Sequence, residues 1–316
     1  MDDKLEGFVS NLLNDEILKC VHVHGGLVHK VFRIYTKSGK KYILKQRLSH
    51  YSALPSLYVD YKKIFYEKRA LEIMHNAGLE KYFPKLLGYS LRLNSILMED
   101  VLDENSLVCD DIQLSRQICE KIINAISDVH LRTKNLKQSI HGDCDKRIYR
   151  LNIKYRILNH AKTLQLAKYA VKLLCKLKRN IILGDVCPKN IIINKSRTVF
   201  LDLEYCHRGN YEFEISYVLA HLIIQGVSGM NPSEVFEDFF EMYLNKINSK
   251  INYKMTLILC LSIMLYRLEK GAIPYKTNFT VDEKINLVSK IRNFLNQKKG
   301  SFDSKILLQI MYESKN

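Results

Sequence analysis

One short stretch limits most strongly what this chain can fold into. It runs from 183 to 204, LGDVCPKNIIINKSRTVFLDLE, and holds two apolar runs, IIIN and TVFL, separated by three residues. Short β-branched runs with a turn between them are typical of a β-hairpin. We expect Asn194 to pair with Thr198. In that register Asn190 falls opposite Asp202, and opposed residues on one face lie about 5 Å apart.

The open end of this hairpin collects oxygen donors. Glu204 stands two residues beyond Asp202 and shares its face if the strand runs on. An amide oxygen and one or two carboxylates suit Mg²⁺, which completes its shell with phosphates and water. Asp185 lies five residues before Asn190, close enough to serve the same site. The alternative is a solvated turn with polar ends, and the rest of the chain decides between the two.

Composition bounds the class of protein. With 316 residues and 47% hydrophobic content, the chain can form one large domain or two ordinary ones. Its 49 basic against 33 acidic residues give a net charge of +16, which favours anionic partners such as nucleotides. The basic residues are scattered, so nucleic acid is not expected as the main partner.

Cysteine usage and hydropathy bear on location. The eight cysteines contain no C-x-x-C pair, and the chain begins MDDKLEG without a basic-then-apolar leader. Reduced thiols and a cytoplasmic location are therefore expected. The most apolar helix candidate, 256–266, is too short to cross a bilayer and is predicted to be a core helix without any membrane span.

The predicted secondary structure changes from mainly strands to mainly helices about one third of the way along the chain. LVHKVFRIY alternates polar and apolar residues, and the turn TKSGKK leads into the strand candidate YILK. An amphipathic helix is predicted at about 59–77, with Gly78 placed to end it. From residue 111 onward most of the chain has helical patterns. We predict an α+β fold with a small β-rich lobe, 1–101, and a larger α-helical lobe, 102–316.

At this point the chain resembles a known family. GDVCPKN…FLDLEYCHRGNYEFEISYVLAHLI resembles the signature of aminoglycoside phosphotransferase/choline kinase-like small-molecule kinases, HGDxxPxN followed by D-x-E or D-F-E. Methylthioribose kinases are similar in carrying D-x-E. HGGLVHKVFRI, YILK, YEKRALEIMHNAGL and ILMEDV resemble the family's glycine loop, ATP-lysine strand, glutamate helix and hinge. The resemblance covers 20–105 and 180–228, and it implies a bilobal protein kinase-like fold.

The resemblance also implies phosphoryl transfer from Mg·ATP, in which positioning and charge neutralisation carry most of the catalysis. Asp185 takes or orients the proton of the acceptor hydroxyl. Mg²⁺ is held across the β- and γ-phosphates by Asn190, Asp202 and Glu204.

A second set of residues serves the nucleotide in this family. The implied nucleotide-binding residues comprise two loop glycines, the phosphate-binding lysine, its glutamate partner and two hinge residues whose backbone binds adenine: Gly25, Gly26, Lys45, Glu67, Glu99 and Val101. Glycine lets the backbone approach the phosphates without a Cβ in the way. Glu72 is a rival partner for Lys45, and a two-glycine loop is also compatible with a plain turn.

The sequence leaves open the roles of two features, a second HGD motif and Arg267. A second HGD in SIHGDCDKR is followed by Ile148 where Asn is required, so we predict a loop between helices there. His141 and Asp143 could instead touch the acceptor. Arg267 either binds an anionic acceptor or pairs at the surface with the end of its helix.

Three positions depart from the family pattern. Leu183 replaces the His before Gly-Asp, Glu214 replaces an Asp that braces the loop, and Cys187 stands where protein kinases have Lys. None of these changes removes a metal ligand or the phosphate-binding lysine, so an active enzyme is expected.

The predicted function is ATP-dependent transfer of the γ-phosphate to a hydroxyl of a small molecule that is aminoglycoside-, amino alcohol- or sugar-like. The first alternative is a protein kinase, but about seven residues separate Glu204 from the next helix, where protein kinases keep a long segment ending in A-P-E. The other alternative is a non-catalytic pseudokinase that binds nucleotide or nucleic acid. The acceptor, the choice of ATP or GTP and the oligomeric state stay open.

Overall fold

The computed structural model describes residues 1–23, 28–51, 54–58, 60, 63–142, 145–161, 163–194, 197–269, 277, 279–297 and 303–312. The chain divides into two compact units. The first unit comprises Met1–Leu107 and Ile192–Cys206, and the second comprises Val108–Ile191 and His207–Asn316. The α+β fold class expected from the sequence is confirmed. The lobe boundary between residues 101 and 102 stays a prediction.

The first unit opens with helix α1 (Asp3–Leu13), which the side chain of Asp2 caps. Its main sheet has five antiparallel strands in the order β1-β2-β3-β7-β6: β1 (Ile17–Val23), β2 (His29–Thr36), β3 (Lys41–Arg47), β6 (Leu86–Ser90) and β7 (Ser95–Glu99). Between β3 and β6 the chain forms the pair β4 (His50–Tyr51) and β5 (Leu54–Tyr58), then helix α2 (Lys63–Asn76).

Local signals explain these elements. The turn between β2 and β3 contains Gly39 with φ +80°, a conformation that costs a residue with a Cβ more than it costs glycine. α2 ends just before Gly78, as the sequence predicted, and Gly78 has φ +70°. One cluster of buried residues joins α1 to the sheet: Leu5, Val9, Ile34, Leu44 and Leu97.

The hairpin of β10 (Ile191–Ile193) and β11 (Thr198–Phe200) forms, but the expected register was wrong. The amide of Asn194 donates to the carbonyl of Arg197 at 3.0 Å, and the Asn194 Oδ1 atom accepts from the Arg197 amide at 2.6 Å. The asparagine side chain thus stabilises a tighter turn, in which Asn194 faces Arg197 and not Thr198. A shift of one residue turns every side chain to the other face.

The ladder argument that set Asn190 opposite Asp202 therefore fails. Asp202 also leaves the strand, because its backbone is left-handed, with φ 59° and ψ 60°. A 3₁₀ turn follows at Leu203–Tyr205, so the strand does not run on to Glu204, which was the condition for Glu204 to share a face with Asp202. A left-handed residue other than glycine costs about 1–2 kcal/mol. Asn190 belongs to the second unit and Asp202 to the first.

The second unit is mainly helical. Strand β8 (Leu107–Val108) crosses into it, and β9 (Asn180–Ile182) pairs antiparallel with β12 (His207–Gly209). Its helices are α3 (Arg116–Thr133), α4 (Asp145–Ile153), α5 (Asn159–Ala161), α6 (Gln165–Leu174), α7 (Tyr211–Gln225), α8 (Pro232–Ile247), α9 (Tyr253–Leu268), α10 (Val281–Leu295) and α11 (Lys305–Tyr312). A π-helical stretch, Lys154–Leu158, lies between α4 and α5.

Helices α7 and α9 form the core of this unit. Nearly every residue of both helices is buried, which explains why their sequences are apolar on all sides. The core-helix prediction for 256–266 is borne out by α9, in which every residue from Met255 to Leu265 is buried. Across the described ranges, no helix combines the length and apolar character that a bilayer span requires.

Candidate active site

In the first unit a buried lysine joins two carboxylates. Lys45 lies on β3, opposite Val31 of β2 and Ile96 of β7, near the middle of the sheet. Its Nζ atom donates to both carboxylate oxygens of Glu67, at 2.9 and 2.8 Å, and to Oδ1 of Asp202 at 2.7 Å. The structure thus brings Lys45, Glu67 and Asp202 together.

Burial and charge act against each other in this triad. Burial disfavours the ammonium of Lys45, but the carboxylates of Asp202 and Glu67 outweigh it and raise the pKa of Lys45. Burial raises the pKa of Glu67, and Lys45 opposes that shift. The rival residue Glu72 is paired with Lys68 at 2.8 Å instead. Lys45 is therefore a fixed cation, and Asp202 is the more open of its two partners, with its side chain 28% exposed.

Glu204 sits among basic side chains that the sequence did not single out. The guanidinium of Arg47 donates to its Oε2 atom. Nε2 of His29 lies 3.8 Å from the same oxygen, and Nζ of Lys63 lies 4.0 Å from Oε1. Burial, followed by the charges of Lys45, Arg47 and Lys63, lowers the pKa of His29, so its imidazole is neutral at neutral pH. The register of β2 and β3 sets His29 opposite Arg47, a pairing that sequence alone shows only once the register is known.

The donor set suits a divalent cation. One ligand atom each from His29, Asp202 and Glu204 lies within 4.8 Å of the other two. Two carboxylates match the preference of Mg²⁺ for oxygen, and a neutral imidazole can remain outside the shell. Glu204 is the more constrained of the two carboxylates, because Arg47 already binds one of its oxygens. Asn190, the third expected ligand, lies in the second unit and stays a prediction.

The expected adenine-binding segment is held in place by the sheet. The amide of Glu99 donates to the carbonyl of Lys85 at 2.9 Å, and its carboxylate pairs with Arg197 at 3.1 Å. The carbonyl of Val101 accepts from the hydroxyl of Ser106 at 3.4 Å. The amide of Glu99 is therefore already engaged. The two loop glycines, Gly25 and Gly26, lie outside the described residues.

In the second unit Asp185 is the centre of a polar cluster. Its Oδ1 atom accepts from Arg156 at 2.8 Å and from the hydroxyl of Tyr217 at 2.7 Å, and the guanidinium of Arg267 lies 3.7 Å away. Asn190 donates to the Asp185 carbonyl at 3.1 Å, and its Nδ2 atom is 3.5 Å from Oδ2. The structure therefore brings Asp185 and Asn190 together, with Oδ1 of Asp185 more heavily engaged than Oδ2.

The arginines keep Asp185 ionised. Burial by itself raises the pKa of Asp185, but the charges of Arg156 and Arg267 outweigh it and hold that pKa below its usual value. A carboxylate that is ionised at neutral pH accepts a hydrogen bond from a hydroxyl group and orients it. This is the chemistry that Asp185 offers.

Glu214 stands where the family pattern has an Asp that braces the loop, and the structure shows which groups it binds. Its carboxylate accepts from the amide of Leu183 at 2.9 Å and from the amide of Gly184 at 2.6 Å. His130 binds the same carboxylate at 2.9 Å. A glutamate on α7 thus braces the loop before Asp185, while the side chain of Leu183 is buried in the core.

Sequence reasoning missed two residues of this cluster and favoured the wrong environment for a third. Tyr217 stands one helical turn after Glu214 on α7, so its spacing offered a signal. Arg156 lies in the π-helical stretch and belongs to no recognisable pattern. The surface interpretation of Arg267 was wrong. Its side chain is 14% exposed and lies over the rings of Tyr217 and Tyr266, at 5.3 and 4.9 Å.

The second HGD motif lies between helices, as predicted. Residues 134–144 connect α3 to α4. His141 is buried, and its amide donates to Oδ1 of Asp145 at 3.3 Å. Asp143 lies outside the described residues.

Comparison with known sequences places this site in context. A profile of the phosphotransferase enzyme family matches residues 20–244. Among curated proteins, the chain is 30% identical over 110 residues to the "Protein LicA homolog" of Mycoplasma capricolum subsp. capricolum. That match spans 35% of this chain and 43% of the relative, so the chain covers less than half the length of this relative.

Solved structures show the same fold. Choline kinase LicA from Streptococcus pneumoniae is 17% identical, with a TM-score of 0.53 over 99% of this chain and 98% of that one. The amicoumacin kinase hAmiN, solved with AMP-PNP, Ca²⁺ and Ami, is 13% identical, with a TM-score of 0.59 over 97% of both chains. At such identities the likeness shows the fold alone. The expected protein kinase-like α+β fold is confirmed.

Proposed function

Because this chain belongs to the phosphotransferase enzyme family, we propose that it is an ATP-dependent kinase that moves the γ-phosphate to a hydroxyl of a small molecule. The expected enzyme class, a phosphotransferase, is confirmed by that membership. The single observation that carries the proposal is Lys45 held between Glu67 and Asp202. A lysine fixed by a helix glutamate beside a carboxylate that can bind metal is the arrangement that protein kinases use for phosphoryl transfer.

In the first unit this proposal gives each charged group a task. Lys45 binds the α- and β-phosphates of ATP, and Glu67 fixes the position of its ammonium. Asp202 and Glu204 hold Mg²⁺, which neutralises charge on the phosphates when it is bound. The fit of their two carboxylates to a hard cation supports this assignment.

The remaining binding residues extend the same proposal. The backbone near Glu99 and Val101 binds adenine, and Gly25 and Gly26 approach the phosphates. Asn190 is a further metal ligand. These roles rest on the family resemblance and on the match of the family profile over residues 20–244.

In the second unit Asp185 binds the acceptor hydroxyl. Its Oδ1 atom is taken by Arg156 and Tyr217, so the hydroxyl binds at Oδ2. Arg156 and Arg267 keep the carboxylate ionised, and Tyr217 fixes its orientation. Orientation of the acceptor for in-line attack is the contribution of this carboxylate.

The relatives support a small acceptor. One similar structure is a choline kinase, and another is an amicoumacin kinase solved with an ATP analogue. We propose an aminoglycoside-, amino alcohol- or sugar-like acceptor on this basis.

A cytoplasmic location belongs to the same proposal, because the seven cysteines that the structure describes form no disulfide.

The test is release of ADP by the full chain with Mg·ATP and a library of hydroxylated metabolites. Asp185→Asn should lower kcat by about 100-fold or more, since transfer depends on an oriented hydroxyl, while ATP binding changes little. Asp282→Asn, at an exposed position on α10, is the matched control. Absence of ADP release with every acceptor, or full activity of Asp185→Asn, would overturn the proposal.

A further inference from the structure

One stretch of the second unit carries most of the excess positive charge of the chain. Residues 146–179 contain eleven lysines and arginines, and no aspartate or glutamate occurs from 146 to 184. The net charge of the whole chain is +16, so this stretch alone accounts for more than half of it. Basic residues that look scattered in the sequence are therefore concentrated where no acidic neighbour in the chain balances them.

The exposed side of α4 presents four of these cations. They are Lys146, Arg147, Arg150 and Lys154, the last at the start of the π-helical stretch. Residues three and four apart lie on the same side of a helix. The other side of α4 is buried through Tyr149 and Ile153. The four cations thus form one stripe that faces solvent.

Helix α6 and the segment after it present four more. They are Lys168 and Lys172 on the helix, then Lys176 and Lys178 beyond its end. The amide of Lys176 donates to the carbonyl of Leu173 at 2.9 Å, so the helical turn continues past α6. Lys168, Lys172 and Lys176 are four residues apart and therefore follow one side of this helix.

Contacts between the two helices join the stripes. The hydroxyl of Tyr149 on α4 donates to the carbonyl of Leu174, the last residue of α6, at 3.5 Å. The guanidinium of Arg179 lies 4.4 Å from the centre of the Tyr149 ring. α4 therefore lies beside the end of α6 and the segment that follows it. We call the eight exposed cations, with the side chains between them, the basic face.

The positive charge of the basic face is not neutralised by ion pairs. Among the ion pairs of the described residues, none includes any of its eight cations. Cations on α3 and α8 of the same unit are paired, as Arg116 is with Asp238 at 2.7 Å and Lys246 with Asp128 at 2.8 Å. The charge of the basic face is therefore available to an anionic partner.

Apolar side chains are exposed beside these cations. Tyr155 and Tyr169 are 55% and 50% exposed, and Leu177 is 37% exposed between Lys176 and Lys178. Tyrosine rings are enriched at the headgroup level of a bilayer, and a lysine stem can bury its methylene groups while its ammonium stays in water. A leucine flanked by lysines therefore suits a partner that combines negative charge with an apolar phase.

We infer that the basic face binds the surface of a membrane that contains anionic lipids, with headgroup phosphates at its lysines and Leu177 inserted between the headgroups. The inference goes beyond the proposed function and does not depend on it. Two observations favour lipid over nucleic acid. Six of the eight cations are lysines, whereas the fixed donors of arginine suit nucleic acid best. An exposed leucine gains free energy on entering an apolar phase, and a phosphate backbone offers none.

The first experiment measures partition of the full chain onto vesicles by sedimentation. Vesicles of phosphatidylcholine with about 30% phosphatidylglycerol are the anionic probe, since anionic leaflets attract basic segments. Pure phosphatidylcholine vesicles are the neutral control, and binding to a transfer RNA and a DNA duplex is measured in the same buffer. We expect partition onto the anionic vesicles to be stronger by about tenfold or more, and added salt should reduce the difference.

Each outcome decides the matter. Partition onto the anionic vesicles alone supports the inference. Equal partition onto both kinds of vesicle, or partition onto neither, overturns it. Binding to RNA or DNA at low salt without partition onto vesicles also overturns it and assigns the basic face to nucleic acid.

The second experiment tests which surface makes the contact. Lys172→Gln combined with Lys176→Gln should weaken partition by about 25-fold, since each basic residue near an anionic leaflet strengthens binding about fivefold. The control combines Lys121→Gln with Lys250→Gln, which removes the same charge at exposed positions outside the basic face. All four lysines are exposed, so the thermal midpoint should stay unchanged in both double variants. An equal loss of partition in the two would show an effect of net charge alone and overturn the assignment.

Cys175 lies within the basic face and reports on the contact directly, because it is exposed. Its alkylation by a maleimide, followed by mass spectrometry of the labelled peptide, should slow several-fold when anionic vesicles are added and stay constant with neutral ones. A thiol introduced on α8 by Glu241→Cys is the control and should react at an unchanged rate. If Cys175 keeps its rate while the protein is bound to vesicles, another surface makes the contact and the inference fails.

Discussion

The carboxylate of Glu214 provides a sharp test of how the catalytic loop is held. Two backbone amides, those of Leu183 and Gly184, donate to it at 2.9 and 2.6 Å. The side chain is buried, so neither amide gains water if the carboxylate is removed. Glu214→Gln changes one oxygen to an amide nitrogen and leaves the size of the side chain nearly the same.

The expected cost follows from these contacts. The glutamine oxygen can accept from one amide, but its NH₂ group faces the other donor and leaves it unsatisfied, which costs about 1–3 kcal/mol. The bond that remains loses its charge assistance, worth about 1 kcal/mol. The total is about 2–4 kcal/mol, or a fall of roughly 3–6 °C in the thermal midpoint of a chain of this size. A loop displaced by about 1 Å also lowers kcat by about 100-fold.

Thermal unfolding and ADP release, measured on the same preparations, check this prediction. Glu214→Asp keeps the charge with a shorter reach, so it should fall between the wild type and Glu214→Gln in both measurements. Glu241→Gln, at an exposed site on α8, controls for the loss of one negative charge. A Glu214→Gln enzyme whose midpoint and kcat match those of Glu241→Gln would refute the argument that this carboxylate braces the loop.

Three further predictions concern other parts of the chain. Asp202→Ala should abolish Mg·ATP-dependent turnover with unfolding still cooperative, because the proposed Mg²⁺ site loses a carboxylate and Lys45 loses a partner; full activity in the ADP assay would contradict the metal assignment. Arg197→Ala should destabilise the fold by about 1–2 kcal/mol in urea unfolding, since its guanidinium binds Glu99 and backbone carbonyls; an unchanged urea midpoint would show that these bonds contribute nothing. Alkylation of the native protein at pH 8 should modify exposed Cys175 well before Cys187, whose pKa burial raises to about 12; mass spectrometry of the labelled peptides decides the order.

The parts of the fold that local pattern determines could be predicted. Alternating residues and a glycine turn gave the β2–β3 hairpin, and the helix that carries Glu67 ends where Gly78 indicated. The contact between Lys45 and Glu67 followed once that strand and helix were expected to pack together, as the family resemblance implied. These features depend on short stretches whose chemistry is visible in the sequence itself.

Other features depend on contacts between distant segments or on a single side chain. In the β10–β11 hairpin the side chain of Asn194 accepts from the Arg197 amide. Asn194 therefore faces Arg197, one residue before the partner, Thr198, that the spacing of the two apolar runs predicts. Arg156 reaches Asp185 from a π-helical stretch, and Arg267 reaches it from the far end of α9. A residue that acts over such a separation has no local periodicity, so its role emerges only with the fold.

Some of the basic residues of this chain lie inside the two units, where they compensate buried carboxylates. A buried carboxylate needs a paired cation or several hydrogen-bond donors to offset its lost hydration. In the first unit three carboxylates are met by three cations, so that cluster is close to neutral: Glu67, Asp202 and Glu204 against Lys45, Arg47 and Lys63. In the second unit one carboxylate meets two arginines. Basic residues therefore hold the carboxylates of both units in place, three of them around the Lys45 cluster and two around Asp185.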